Sequence, residues 1–141
     1  MTTIAYRDGE IAYDSRISED DLILTDHANK VIEDNSYWFF YAGDLTAVQT
    51  MISGFNGFDV GDCVGEVEAI VWDGTDLWYA GITEGCPWKI KQLKSDYFAI
   101  GSGKPHALTA MDLGCTAEEA VKMAMMRDKN TGGKINTFRI I

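Results

Sequence analysis

Thr2 and Asp14 are the first residues along this chain that could do chemistry together. Between them run Thr3-Ile4-Ala5-Tyr6, then Asp8-Gly9, then Ile11-Ala12-Tyr13. Asp-Gly between two apolar runs predicts a tight hairpin, because both residues tolerate the positive φ such a turn demands. Thr2 and Asp14 then lie side by side. If Met1 is removed, the α-amino group of Thr2 can take the proton of its own hydroxyl, a known way of activating a threonine nucleophile. The small side chain of Thr2 makes that removal the expected outcome. The first residues lack the basic and apolar regions of a signal peptide, so the start of the sequence reads as the start of the folded protein.

The elements that must position these residues alternate in type. After the hairpin, Lys30-Val31-Ile32 reads as a strand, and Tyr37-Trp38-Phe39-Phe40-Tyr41 as a buried one, too aromatic and too short for a helix. Ala42-Gly43-Asp44 ends it. Leu45, Val48, Met51 and Ile52 fall at helical spacing, which predicts a helix from about Asp44 to Ser53, stopping at Gly54. A polar loop follows to Gly65. Val67 to Trp72 and Leu77 to Ala80 flank Asp73-Gly74-Thr75-Asp76, a second hairpin. Trp88 to Leu93 and Tyr97 to Ile100 read as two more strands.

Pro105 suits a first helical turn, Ala107, Leu108, Ala110 and Met111 share a face, and Gly114 closes that helix. Thr116-Ala117-Glu118-Glu119 is a capping box, after which Ala117, Ala120, Val121, Ala124 and Met125 repeat at helical spacing. Ile135 to Ile141 reads as a closing strand. This order suggests two sheets packed face to face with helices outside, an α+β fold in a single domain, residues 1–141.

Composition bounds the function. A net charge of −10 argues against nucleic acid, whose phosphates need clustered Lys and Arg. No apolar run approaches membrane-spanning length. Three cysteines, Cys63, Cys86 and Cys115, have no metal-ligand spacing and read as reduced packing residues in a cytoplasmic protein. His27 and His106 have no partner at ligand spacing, so no metal and no cofactor is expected. The acidic run Glu19-Asp20-Asp21 reads as a solvated loop.

Thr2-Thr3-Ile4, Tyr13-Asp14-Ser15-Arg16, Lys30-Val31-Ile32-Glu33, Tyr41-Ala42-Gly43, Ile100-Gly101-Ser102-Gly103 and Arg127-Asp128 to Thr131-Gly132-Gly133 occur in one order with similar gaps. Together they resemble the proteasome β-subunit family, including its bacterial ATPase-partnered relatives. The resemblance implies a four-layer αββα sandwich and an N-terminal nucleophile hydrolase. Thr2 is then the nucleophile. Lys30 is the cation beside it, which lowers the pKa of the amine and stabilises the developing alkoxide, and Asp14 keeps Lys30 charged. Read without the resemblance, Asp14 and Lys30 are an ordinary strand-edge ion pair.

Gly43 by the same resemblance gives a backbone N–H to an oxyanion. Ser102, Asp128 and Thr131 form the outer polar network around the amine, Thr131 standing where the family commonly has serine. Asp128 at a helix C-terminus opposes the helix dipole, which itself asks for another explanation. Arg16 reads as structural, an ion-pair partner for a nearby carboxylate. Ile17, Ala28, Ile32, Tyr41, Leu45 and Gln49 carry over as an apolar substrate pocket, with Tyr41 equally readable as core.

There are departures. The first hairpin is shorter than the family's, Tyr13 replaces a usually small residue, and Asp44 replaces a glycine beside the oxyanion donor. The stretch from Asp44 to Glu66 has room for one helix where the family places a pair of long ones, so one outer helical layer is expected to be reduced. The leading reading is a threonine-type peptidase that forms a homo-oligomer through a smaller or different interface than the family's double ring, with peptide or protein substrates and an ATPase unfoldase as the implied partners. The alternative is a non-catalytic interaction or assembly protein retaining the fold. An amidase for a small non-peptide substrate shares the chemistry of the first reading.

Overall fold

The structure, a computed structural model, describes residues 2–91 and 96–140. The chain divides into two compact units. The first contains β1 (Thr3–Arg7), β2 (Glu10–Tyr13), β3 (Ile17–Glu19) and β4 (Leu22–Thr25), and, from the C-terminal part, β10 (Tyr97–Gly101), α2 (Lys104–Asp112), α3 (Ala117–Met125) and β11 (Asn136–Arg139). The second contains β5 (Val31–Asp34), β6 (Tyr37–Gly43), a short 3-10 turn at Leu45–Ala47, α1 (Val48–Phe55), β7 (Val67–Trp72), β8 (Leu77–Thr83) and β9 (Cys86–Lys91).

In the first unit the sheet order is β10-β1-β2-β11, all antiparallel. The expected hairpin is present, with Asp8 at φ 51° and Gly9 at φ 78°. On one face, Ala5 pairs with Ala99 on one side and Ala12 on the other, and all three are fully buried under α2 and α3. A row of methyl groups gives the helices a flat floor, and Ala107, Ala120 and Val121 pack down onto it. The capping box of α3 is present in full, Thr116 Oγ1 accepting from Glu119 N at 3.1 Å and Glu119 Oε1 from Thr116 N at 2.9 Å.

The second unit is a five-stranded antiparallel sheet, β5-β6-β7-β8-β9. Its register pairs Phe39 with Val71 and Val71 with Trp78, so these residues share the face covered by α1. Phe55 is the centre of this packing. Its ring meets Tyr37, Phe39 and Trp78 edge-on at centroid distances of 5.5, 5.3 and 5.5 Å. That anchor explains why the helix continues through Gly54 to Phe55 instead of stopping at Ser53 as expected. Phe58, in the loop beyond, is 69% exposed.

Other boundaries moved for physical reasons. Leu45–Ala47 is a separate 3-10 turn, and the Asp44 carboxylate accepts Glu66 N at 2.9 Å instead of capping α1. β9 starts at Cys86, two residues before the expected Trp88, and includes Pro87, which is tolerated because β9 is an edge strand. Leu93, in the strand expected from Trp88, and Ile141, in the closing strand, lie outside the described residues. The hairpin β3–β4 was not anticipated; Glu19-Asp20-Asp21 is its exposed turn, with Asp20 at φ 51°. Cys63 and Cys115 pack against the two cores, whereas Cys86 is exposed at the β8–β9 turn.

Candidate active site

Thr2, Asp14, Lys30, Ser102, Asp128 and Thr131 all belong to the first unit. The β1–β2 register, Ile4 opposite Tyr13, sets Thr2 and Asp14 at the same end of the hairpin. Asp14 N donates to Thr3 O at 3.3 Å and Thr3 N to Asp14 Oδ1 at 3.2 Å. Lys30 closes the loop after β4, which is tied back by Ala28 N donating to Ser15 O at 2.9 Å. Lys30 Nζ donates to Thr2 Oγ1 at 2.6 Å and to Asp14 Oδ1 at 2.7 Å.

This cluster is dry. Thr2 is 4% exposed, Lys30 3% and Asp14 0%. A buried carboxylate is costly unless paired. Besides Lys30, Asp14 accepts from Gly132 N at 3.0 Å and Arg16 N at 3.4 Å through Oδ2. Burial pushes the Lys30 ammonium below the ordinary lysine range, and the adjoining Asp14 carboxylate opposes but does not cancel that push. Among the described residues no buried side-chain nitrogen or oxygen lacks a hydrogen-bond partner.

On the other side of Thr2, its backbone N donates to Ser102 Oγ at 3.0 Å, and Ser102 Oγ donates to Asp128 Oδ2 at 2.6 Å. Thr131 Oγ1 donates to the same oxygen at 2.6 Å and lies 2.7 Å from Thr3 Oγ1. Burial raises the Asp128 carboxyl, yet donors from Ser102, Thr131 and the Asn130 backbone together hold it below its usual value. Asp128 therefore has its explanation. It lies three residues past the end of α3 and is the shared acceptor of the turn there, with Asn130 N donating to Asp128 Oδ1 at 3.1 Å.

The arrangement has the parts of a nucleophile site: a hydroxyl next to a buried cation, and a backbone nitrogen on a relay of Ser102 and Asp128. Sequence reasoning missed Thr3 and Gly132. The alternation Thr3-Ile4-Ala5 places Thr3 on the helix-facing side with Ala5, where a buried hydroxyl needs a partner, and that signal could have found it. Gly132 acts through its N–H, which no side-chain pattern reports.

Arg16 is an ion-pair partner as expected. Its Nε donates to Asp26 Oδ1 at 2.8 Å and its Nη2 to Asp26 Oδ2 at 3.3 Å. Asp26 was not singled out in advance. Of the pocket residues, Ile17 and Ala28 are half-buried in the first unit. In the second, Ile32 and Tyr41 pack against the α1-facing core, while Leu45 and Gln49 are exposed. Gly43 ends β6 at φ +133°, and a Cβ there would stand 2.5 Å from Glu66 O, so only glycine fits.

Among the described residues no group of three or more His, Cys, Asp or Glu could hold a metal ion, and no helix is long and apolar enough to cross a membrane. No protein-family model matches the sequence, and no curated protein matches it. Solved structures do. The chain is similar to Thiobacillus denitrificans BPH in complex with epoxomicin, with a TM-score of 0.65 and 17% identity over 97% of this chain and 96% of that one. Thiobacillus denitrificans BPH in a second structure gives a TM-score of 0.63 and 17% identity, over 97% and 95% of the two chains. Eukaryotic HslV from Trypanosoma brucei gives 0.68 at 15% identity, covering 97% of each. The chain therefore has the α+β fold of the proteasome-like N-terminal nucleophile hydrolases, the αββα sandwich, here with one helical layer reduced so that the described residues hold three α-helices.

Proposed function

We propose that this chain is an N-terminal threonine hydrolase that cleaves amide bonds, a proteasome-like peptidase acting on peptide or protein substrates as one domain over residues 1–141. The observation that carries this reading is the buried Lys30 ammonium held between Thr2 Oγ1 and Asp14. A sandwich does not need a buried lysine for stability, since such a pair is often replaceable by apolar residues. A nucleophilic hydroxyl does.

In the proposed reaction the chain is first cut before Thr2, freeing its α-amine. That amine takes the hydroxyl proton as Oγ1 attacks the carbonyl, and later delivers it to the leaving amine. Lys30 stabilises the developing alkoxide, Asp14 keeps Lys30 charged, and the Gly43 N–H receives the oxyanion. Ser102, Asp128 and Thr131 hold the amine in place. Water then releases the acyl group from Thr2. Ile17, Ala28, Ile32, Tyr41, Leu45 and Gln49 form the apolar substrate pocket of this reading, which further takes the protein to be cytoplasmic, homo-oligomeric and served by an ATPase unfoldase.

The test uses protein whose first residue is Thr2 and a peptidyl epoxyketone, which offers one electrophilic carbon to Oγ and another to the amine. Intact mass should rise by one inhibitor, the adduct should map to Thr2, and Thr2→Ala should abolish it. Processed protein that stays unmodified overturns the reading. One observation favours a non-catalytic assembly protein instead: the helical layer of the second unit is the eight-residue α1 with a 3-10 turn. Met1 fully retained in protein from the native host would remove the free-amine mechanism and leave that reading standing.

A further inference from the structure

The loop that brings Asp128, Thr131 and the Gly132 N–H to the site touches the sheet through Thr131, whose hydroxyl lies 2.7 Å from that of Thr3 on β1, and has a second support. It is gripped by Arg16 and Asp26. The Arg16 guanidinium lies flat on Gly132, where a Cβ would stand 2.4 Å from Arg16 Cζ. The Asp26 backbone lies on Gly133, where a Cβ would stand 2.7 Å from Asp26 O. Both Asp26 oxygens hold the guanidinium, at 2.8 and 3.3 Å, and Arg16 Nη1 donates to Lys129 O at 2.9 Å. Ser18 Oγ adds a bond to Asn130 Oδ1 at 2.9 Å.

What the grip fixes is specific. Ser15 N donates to Gly132 O at 3.0 Å, and Gly132 N donates to Asp14 Oδ2 at 3.0 Å, so Gly132 is the point where the loop touches the Lys30 partner. One residue earlier, Thr131 donates to Asp128, the acceptor of the Ser102 relay. A displacement of Gly132 would therefore disturb both sides of Thr2 at once.

We propose that Asp26 is a positioning residue: by fixing the Arg16 fork against Gly132 it sets the 128–132 turn and, through it, Asp14 and Asp128. This rests on the hydrolase reading for its kinetic consequence, and on geometry alone for its structural one. A planar, bidentate pair is needed because a single-point cation would not lie flat on the glycine. Asp26→Asn keeps one acceptor and removes the charge; Asp26→Glu keeps the charge.

Amide hydrogen exchange and peptidyl epoxyketone inactivation on protein beginning at Thr2 test this together. In Asp26→Asn we expect at least tenfold faster exchange at Thr131 and Gly132 with Ile4 and Ala5 unchanged. The maximal inactivation rate should fall about tenfold while the half-saturating inhibitor concentration stays within about twofold. Asp26→Glu should recover most of that rate. Arg16→Lys should behave as Asp26→Asn, and it stands in if that variant does not fold. Unchanged exchange at Gly132 overturns the proposal, as does a uniform rise across β1, which would make Asp26 a general stability residue. If wild-type protein does not react with the epoxyketone, the hydrolase reading fails, and exchange at Gly132 still decides for or against the grip.

Discussion

Burial works against the Lys30 ammonium while Asp14 favours it, and on the proposed reading its use depends on its staying charged at neutral pH. Burial lowers its pKa, with Asp14 opposing. Reactivity of Thr2 should therefore be lost on the alkaline side below the usual lysine value of about 10.4, as the ammonium gives up its proton. The stability sign is opposite. A base whose folded pKa is depressed binds fewer protons when folded, so its penalty is complete at neutral pH and is relieved between the folded value and about 10.4. A pH series of inactivation rates and of unfolding free energies checks both directions.

The pair with Asp14 can be dissected in the same way. Lys30→Met should abolish the epoxyketone adduct and destabilise the protein by about 3 kcal/mol, because Asp14 is left charged and fully buried. Adding Asp14→Asn should recover part of the lost Tm without recovering reactivity. Equal Tm for the two variants would mean that the backbone donors alone satisfy Asp14. For Asp128, whose folded pKa is lowered, the stabilisation is complete above about pH 4 and fades as acid takes the pH through the folded value. Asp128→Asn should lose stability relative to wild type at pH 6 and close that gap on acidification, which denaturant titration at a series of pH values will show.

At the scale of elements, what the sequence revealed follows from how local each signal is. The Asp8-Gly9 hairpin, the Asp73–Asp76 turn and the Thr116 capping box are fixed by residues within a few positions, and all were legible. The β3–β4 hairpin was not. Leu22, Ile23 and Leu24 are all exposed, so they show no alternation to read. The end of α1 was missed because Phe55 is held by rings on β6 and β8, distant in sequence. Phe55→Ala should then cost about 3–5 kcal/mol and lower Tm, far more than Phe58→Ala, which removes an exposed ring. Comparable losses for the two would refute the anchor.

For the molecule as a whole, the sequence matches no family model, yet the fold matches solved structures at 15–17% identity. Thr2, Asp14, Lys30 and Ser102 lie far apart in sequence yet are joined by hydrogen bonds within the first unit. The helical layer of the second unit is short, and any helix that buries Phe39 and Val71 would serve there. Self-association is expected despite that short layer, since Leu22, Ile23, Leu24 and Phe58 leave large apolar side chains in water. Light scattering at micromolar concentration should give a mass above the 15.6 kDa of one chain. A clean monomer would refute it.

The beginning of β1 is stitched down on every side. Thr3 pairs with Gly101 in the sheet, Thr2 O accepts from Gly103 N at 3.3 Å, and Thr2 N donates to Ser102. The consequence lies in activation entropy. On the proposed reading, the rotational and translational freedom that a nucleophile ordinarily surrenders on the way to a transition state has here already been surrendered during folding. On that reading the inactivation rate should therefore stay insensitive to loosening elsewhere and fall only when β1 itself is released, which inactivation rates measured alongside hydrogen exchange at Thr3 and Ile4 on warming will show.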